Sequence, residues 1–407
     1  MRSLIGTHRP LAFLATVGLA VGLATTTGVS PAHADGPGVG TPYVVSVGDS
    51  YISGEAGRWA GNTNTGEQYH DAGGSTAYFD NPTHTAETIN RCHRSTAAEA
   101  FIGTAATNLA CSGAQTSTFT DSDGNFKPGL DFYNGTGGQG QALMLQSFAT
   151  THNVKAVTVS IGGNNFGFAG IIQSCVTDFL GSPTWAKDYC NDDSSVTAQF
   201  TSANVTTQTA NIKNGLLNLQ TAMRNAGYAD GAWSLVVQTY ESPLPNGTAI
   251  RYPESGYTRQ STGGCGFWNN DANWANATAL PTINTAVKNA ATQADIANTK
   301  VLDLAGAFNG RRLCENTVGL LEEKGLTSWS DAGASDQTEW VNQIRTVSTC
   351  CGSNYYIQES LHPNYWGELA LRNCLRQAWN AGTVRGGTCT RGANGKNAYG
   401  EPNMLLS

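Results

Sequence analysis

Three short stretches carry residue types that could do chemistry. Gly48-Asp49-Ser50 closes an apolar run, Tyr43 to Val47. A serine directly after a buried strand stands at the strand's C-terminal end, where open α/β sheets bind ligands. A helix beginning at Ser50 would aim free backbone N–H groups at the serine oxygen and favour negative charge there. The plainer reading of Ser50 is a helix cap, and the Gly-x-Ser-x-Gly elbow of many hydrolases is absent. Gly162-Gly163-Asn164-Asn165 follows a second apolar run. Paired glycines let the backbone pass close to a ligand, and Asn164 can present an amide N–H pair to an anion. A Gly/Asn turn is the ordinary alternative. His362-Pro363 is the third stretch. A neutral imidazole takes up a proton near pH 7, and Pro363 keeps His362 out of helical geometry. Glu359 lies three residues earlier, placed to accept from the second ring nitrogen and hold its tautomer.

These residues need elements to position them. Residues 43–47 and 154–161 are short and β-branched, and glycines stop both, so both read as buried strands. Residues 209–226 place Ile212, Leu216, Leu219 and Met223 on one helical face and lead into a third strand at 234–237. Strand, helix, strand in this order predicts a mostly parallel sheet with crossover helices. The Ala-rich stretch 95–109 and residues 282–308 read as helical. Residues 243–280, rich in Pro, Gly, Asn and aromatics, read as a large loop. Residues 355–358 suggest a last short strand or an extended approach to a loop, 366–379 a closing helix anchored by Leu369, Leu371, Leu375 and Ala378, and the end a Gly/Asn-rich tail. There is no internal repeat or heptad run, and one domain accounts for 35–407.

Composition bounds the function. Hydrophobic residues make up 40% of 407 residues, with nine Trp, fourteen Tyr and thirteen Phe, so the chain can bury a core. Arg2 and Arg9, an apolar run from Leu11 to Leu23, and Ala32-His33-Ala34 read as a secretory signal peptide over 1–34. The run is short for a hydrocarbon core of ~30 Å, so no stable membrane anchor is expected and the product is extracellular. All ten cysteines lie beyond Ala34, an even number that fits five disulfides in an exported chain. Short loops favour Cys92–Cys111 and Cys175–Cys190, and Cys265–Cys314 is plausible. Cys350, Cys351, Cys374 and Cys389 leave both Cys374–Cys389 and a crossed pairing open. No tight CxxC pair suggests zinc. With 23 basic against 30 acidic residues and no basic block, nucleic acid is excluded as an expected partner.

The order of the blocks says more than any one of them. Gly48-Asp49-Ser50-Tyr51-Ile52-Ser53-Gly54-Glu55 resembles the nucleophile block of the SGNH hydrolase superfamily, also called the GDSL lipase/esterase family. Gly113 within Ala110-Cys111-Ser112-Gly113-Ala114 matches its second block, Gly162-Gly163-Asn164-Asn165 its third, and Glu359-Ser360-Leu361-His362-Pro363 its last. The resemblance is closest to secreted, disulfide-bonded actinobacterial lipases and esterases, whose conserved segment Cys92-His93-Arg94-Ser95 also resembles. It implies a three-layer α/β/α sandwich of flavodoxin-like type around a mostly parallel sheet. It also implies Ser50 as nucleophile, His362 as base, and an oxyanion hole from Ser50, Gly113 and Asn164. The last block has Glu359 where Asp is usual, and the third has Asn165 in place of Asp. A carboxylate orienter at Glu359 is favoured, with a backbone carbonyl, as in some relatives, the alternative. The long span from Asn164 to His362 makes about 243–350 an insert forming a lid or wall, where Tyr257, Phe267, Trp268 and Trp274 could grip an acyl chain or stack on sugars. The expected activity is hydrolysis of a lipid or lipid-like acyl ester by a monomer needing no cofactor or metal. A carbohydrate esterase is the alternative, and a non-catalytic secreted binding protein a more distant one.

Overall fold

A computed structural model describes residues 36–348, 354–356 and 358–407. The predicted signal segment, Cys350, Cys351 and Ile357 lie outside the described residues. Strand β1 (Pro42–Gly48) runs parallel to both β2 (Ala105–Asn108) and β3 (Asn153–Ser160). Strands β4 (Ser234–Gln238) and β5 (Thr299–Asp303) extend the parallel set, and β6 (Gly387–Lys396) pairs parallel with β5. Strand β7 (Pro402–Leu406) folds back antiparallel on β6 at the edge. The order is β7-β6-β5-β4-β3-β1-β2.

Both faces of the sheet are buried, which is why its central strands are apolar runs rather than alternating ones. Val45, Val47, Val157, Leu235 and Val237 face a cluster shared with helices α2 (Gln141–Ala149), α4 (Ser202–Asn225) and α5 (Leu280–Ala294). Val44, Ala156, Val236 and Leu302 face the other way, toward α3 (Phe168–Gly181) and α6 (Tyr365–Trp379). The predicted anchors Leu369, Leu371, Leu375 and Ala378 are all buried there. The fold is therefore mixed α/β, with a mostly parallel sheet between helices.

Several expectations need correction. Residues 95–109 are turns followed by β2, because pairing of Ala105–Asn108 with Tyr43–Ser46 outweighs the helix propensity of the alanines. Residues 282–308 divide: α5 stops at Ala294, Asp295 turns with φ of +49°, and β5 follows. Helix α4 starts at Ser202, well before 209, where Thr201 caps it by accepting from Asn204 N at 3.3 Å. The expected tail is the β6–β7 hairpin, which completes the sheet. The stretch 243–280 contains short helices at Thr258–Ser261 and Asn269–Trp274 within its loop. Disulfides join Cys92 to Cys111, Cys175 to Cys190, Cys265 to Cys314 and Cys374 to Cys389, the last tying α6 to β6. No helix among the described residues is long and apolar enough to cross a membrane.

Three carboxyls, Glu99, Glu241 and Glu368, are almost wholly buried. Burial pushes Glu99 and Glu241 up to about 8 each, against the opposing hydrogen bond from Gln238 to Glu99. Burial, then the charges of Glu99 and Glu241, hold Glu368 well above the ordinary range. Such groups bind protons more tightly folded than unfolded. Their contribution is intact at low pH and is lost as pH rises from about 4.3, the unfolded value, toward 8. The melting temperature should accordingly fall between pH 5 and pH 8. Glu368→Gln should flatten that slope, measured by calorimetry across the same range.

Candidate active site

The first block leaves the sheet at the C-terminal end of β1, beside the end of β3. Gly48 has φ of +128°, and a Cβ there would lie 1.9 Å from the Ser160 carbonyl oxygen, so only glycine lets the strands stay paired. Gln141 accepts from Gly48 N at 2.6 Å and donates to Gly48 O at 2.8 Å, giving the strand end a side-chain substitute for a ladder partner. The chain then leaves the sheet into a one-turn helix, α1 (Ser50–Ser53), capped by Asp49, whose carboxylate accepts from Tyr51 N at 3.2 Å. Ser50 is the first residue of that turn.

His362 arrives from the far end of the sequence. Its Nε2 lies 2.7 Å from Ser50 Oγ and its Nδ1 lies 2.9 Å from Ser360 O. The imidazole can therefore hold its proton on Nδ1, leaving Nε2 to accept from the serine. Leu361, between them, has φ of +62°. A left-handed leucine costs about 1–2 kcal/mol, and the kink coincides with the return of the Ser360 carbonyl to the ring of its near neighbour. The loop rests on the insert: Asn342 N donates to His362 O at 2.9 Å, and Leu361 N to Asn342 O at 3.1 Å. Asn364 then caps α6.

Glu359 does not make the contact expected of it. Its carboxylate accepts from Tyr78 OH at 3.4 Å, and the Ser360 carbonyl takes the place beside Nδ1. One more residue along the turn faces the ring, so spacing alone mispositions the partner. Instead Glu359 joins Glu55 and His93, with one potential ligand atom from each within 4.8 Å of the others. This is the arrangement among the described residues most like a metal centre. Glu55 Oε1 and His93 Nδ1 stand 2.7 Å apart, a hydrogen-bonded ion pair. Burial would raise the Glu55 carboxyl, but the charge and hydrogen bond of His93 outweigh it and bring it down to about 2. Burial opposes charge on His93, and Glu55 overcomes it, raising the imidazole. Glu359 is raised, first by burial and then by Glu55. Glu55 also accepts from Gln358 Nε2 at 2.9 Å, which steadies the turn leading to Ser360. Burial lowers His362, opposed by the charge of Glu55 and by the Ser360 carbonyl.

The other two blocks lie beside Ser50. Cys111 N donates to Gly48 O at 3.0 Å, and Asn164 Nδ2 donates to Ala114 O at 3.0 Å, so the loops carrying Gly113 and Asn164 are joined to each other and to the strand end. Gly113 has φ of +80° and Gly162 φ of +122°, conformations that favour glycine. Neither Ser50 N nor Gly113 N donates to a protein acceptor among the described residues. Asn165 pairs with Thr116, accepting from its N at 3.2 Å and donating to its Oγ1 at 2.9 Å, a structural role.

Ser50 and Asn164 border a largely apolar pocket. Ile171, Ile172 and Cys175 of α3 wall one side, and Leu244, Phe267 and Trp274 of the insert another. Of the four insert aromatics, Phe267 and Trp274 line this pocket. Trp268 is buried under Lys187, 4.9 Å from its ring, and Tyr257 is exposed. Tyr51, Tyr240 and Gln141 were not anticipated. Tyr51 lies inside the first block, its OH donating to Leu361 O at 3.1 Å and its ring 5.2 Å from His362. Nothing in the sequence sets Tyr240 or Gln141 apart from other polar residues near element ends.

No protein-family model and no curated protein matches the chain. Among solved structures, an extracellular lipase from Streptomyces rimosus is 19% identical, over 83% of this chain and 100% of that one, with a TM-score of 0.42. A phospholipase A1 from Streptomyces albidoflavus NA297 is 18% identical, over 83% and 99%, with a TM-score of 0.43. Est24, a carbohydrate acetylesterase from Sinorhizobium meliloti, is 9% identical, over 84% and 99%, with a TM-score of 0.33. Likenesses at this level do not assign an activity.

The His362 contacts have a direct spectroscopic consequence. In a nitrogen-resolved NMR titration, His362 should have a midpoint below the ordinary value of about 6.5. Its Nδ1 proton should stay hydrogen-bonded in Glu359→Gln. Loss of that proton signal in the variant would return the orienting role to the carboxylate.

Proposed function

We propose that the protein is an extracellular serine ester hydrolase of the SGNH type, acting on lipid or lipid-like acyl esters. The observation that carries this reading is the 2.7 Å approach of Ser50 Oγ to His362 Nε2 at the border of a largely apolar pocket. His362, held neutral by burial, takes the proton of Ser50 as its oxygen attacks the ester carbonyl. The Ser360 carbonyl steadies the resulting imidazolium through Nδ1. The N–H groups of Ser50 and Gly113 and the amide of Asn164 receive the oxyanion. His362 returns the proton to the leaving alcohol, and water then cleaves the acyl-enzyme by the same route. Glu359 has no proton-relay part in this scheme. The site is a Ser50–His362 dyad with a carbonyl orienter.

The pocket favours an acyl chain over a sugar ring. Ile171, Ile172, Leu244 and Ile283 offer dispersion contacts and few partners for hydroxyl groups. This supports the lipid reading over hydrolysis of acetyl groups on a polysaccharide.

A fluorophosphonate should label the wild-type protein on Ser50, and Ser50→Ala should abolish both labelling and turnover of p-nitrophenyl esters. Persistent labelling of the folded variant would move the nucleophile elsewhere. Asn164→Ala should lower kcat by about 10²–10³ with KM changed far less, and Glu359→Gln should stay within about threefold of wild type, against the roughly 10⁴ lost when a triad loses its carboxylate.

Chain-length preference tests the pocket. Ala279 lines the pocket with a small side chain, so a bulky residue there would take space from an acyl chain. Ala279→Trp should abolish preference for long p-nitrophenyl acyl esters and spare the acetate. An unchanged chain-length profile would place the acyl chain outside this pocket.

A further inference from the structure

We infer that Tyr240 is a positioning residue that sets the spacing between the nucleophile and the oxyanion donor. The inference rests on the proposed ester hydrolysis. Tyr240 follows β4 at the edge where β1 and β3 end. Its hydroxyl donates to Asp49 Oδ2 and accepts from Gly163 N at 2.8 Å. Asp49 immediately precedes Ser50, and Gly163 immediately precedes Asn164. A single phenolic oxygen therefore joins the residue before the attacking serine to the residue before the oxyanion amide.

The tyrosine is itself held at both ends. Asn284 of α5 accepts from Tyr240 N at 2.8 Å and donates to Tyr240 O at 2.8 Å. The Tyr240 ring meets Tyr51 edge to face, with centroids 5.3 Å apart. A Cβ on Gly163 would come within 3.3 Å of Tyr240 Cζ, so the oxyanion loop is packed against the ring as well as bonded to its oxygen. Asp49 is almost fully buried, and its other oxygen is taken by Tyr51 N. Without the phenol, both a carboxylate oxygen and a backbone N–H would lose their partners inside the protein. Burial raises the Asp49 carboxyl to about 7, and the Tyr240 hydrogen bond works against that rise. The link matters because an oxyanion donor acts only within a few tenths of an ångström of its proper place.

Tyr240→Phe keeps the ring and removes the oxygen. On a soluble p-nitrophenyl ester its kcat should fall about 10- to 100-fold, with KM within twofold of wild type. Combined with Asn164→Ala, the loss should not multiply, because once the donor is gone its placement no longer matters. A merely structural role would lower the melting temperature and leave the two losses independent. A kcat within twofold of wild type, or losses that multiply, would overturn the inference. If Tyr240→Phe does not fold, Asp49→Asn weakens the same link by removing one acceptor. It should show the same fall in kcat at unchanged KM and the same failure to multiply with Asn164→Ala, and multiplying losses there would equally overturn the inference. Wild-type labelling at Ser50 separates the two claims. No labelling defeats the hydrolase reading itself, whereas labelling with a fully active Tyr240→Phe defeats only this one.

Discussion

The contact between Ser50 Oγ and His362 Nε2 joins groups 312 residues apart in the chain, and the rest of the site is arranged around it. Loop-closure entropy rises only slowly with length, so distance along the chain is not the difficulty. The difficulty is precision, because a base must meet its hydroxyl at hydrogen-bond distance while both are buried. The protein meets this by fixing the two partners separately, Ser50 to the sheet and His362 to the insert. Ser50 is fixed where Gly48 passes against the Ser160 carbonyl, and His362 by backbone bonds to the insert segment around Asn342.

Burial controls the charge at the site. Loss of water lowers the proton affinity of His362, and the nearby negative charge of Glu55 limits how far it drops. That charge is stable because His93 pairs with it. The pair stands apart from the reacting atoms and still supports them, through Gln358, by steadying the turn that presents the Ser360 carbonyl. The Ser360 carbonyl reaches His362 Nδ1 past a left-handed leucine, at a strain the surrounding packing sustains.

The segment between Asn164 and His362 has two duties. Residues around Trp340 to Asn342 form the bed on which the histidine loop lies. Residues from Ser242 to Leu280 close one side of the apolar pocket. Positioning of the base and shaping of the pocket are thus coupled through one segment, held by the Cys265–Cys314 disulfide.

The sequence alone determined what depends on local pattern. The central strands were legible because burial on both faces leaves continuous apolar runs, and Ser50, Asn164 and His362 because they sit at strand ends and a proline-bounded turn. The Cys92–Cys111 and Cys175–Cys190 disulfides were legible as short loops, whereas the choice of Cys389 as the partner of Cys374 was left to the fold. What needed the tertiary structure were outcomes decided by partners far away in the chain. Residues 105–108 are a strand only because Tyr43–Ser46 offers an edge to pair with, and the tail is a hairpin only because β5 leaves its own edge open. Glu359 had the right spacing from His362, yet spacing does not say which way a side chain turns, and Tyr78 with the Glu55–His93 pair drew it aside. Tyr240 carried no local signal at all. Its role exists only because the ends of β1, β3 and β4 come together in space, where one phenol can reach both loops.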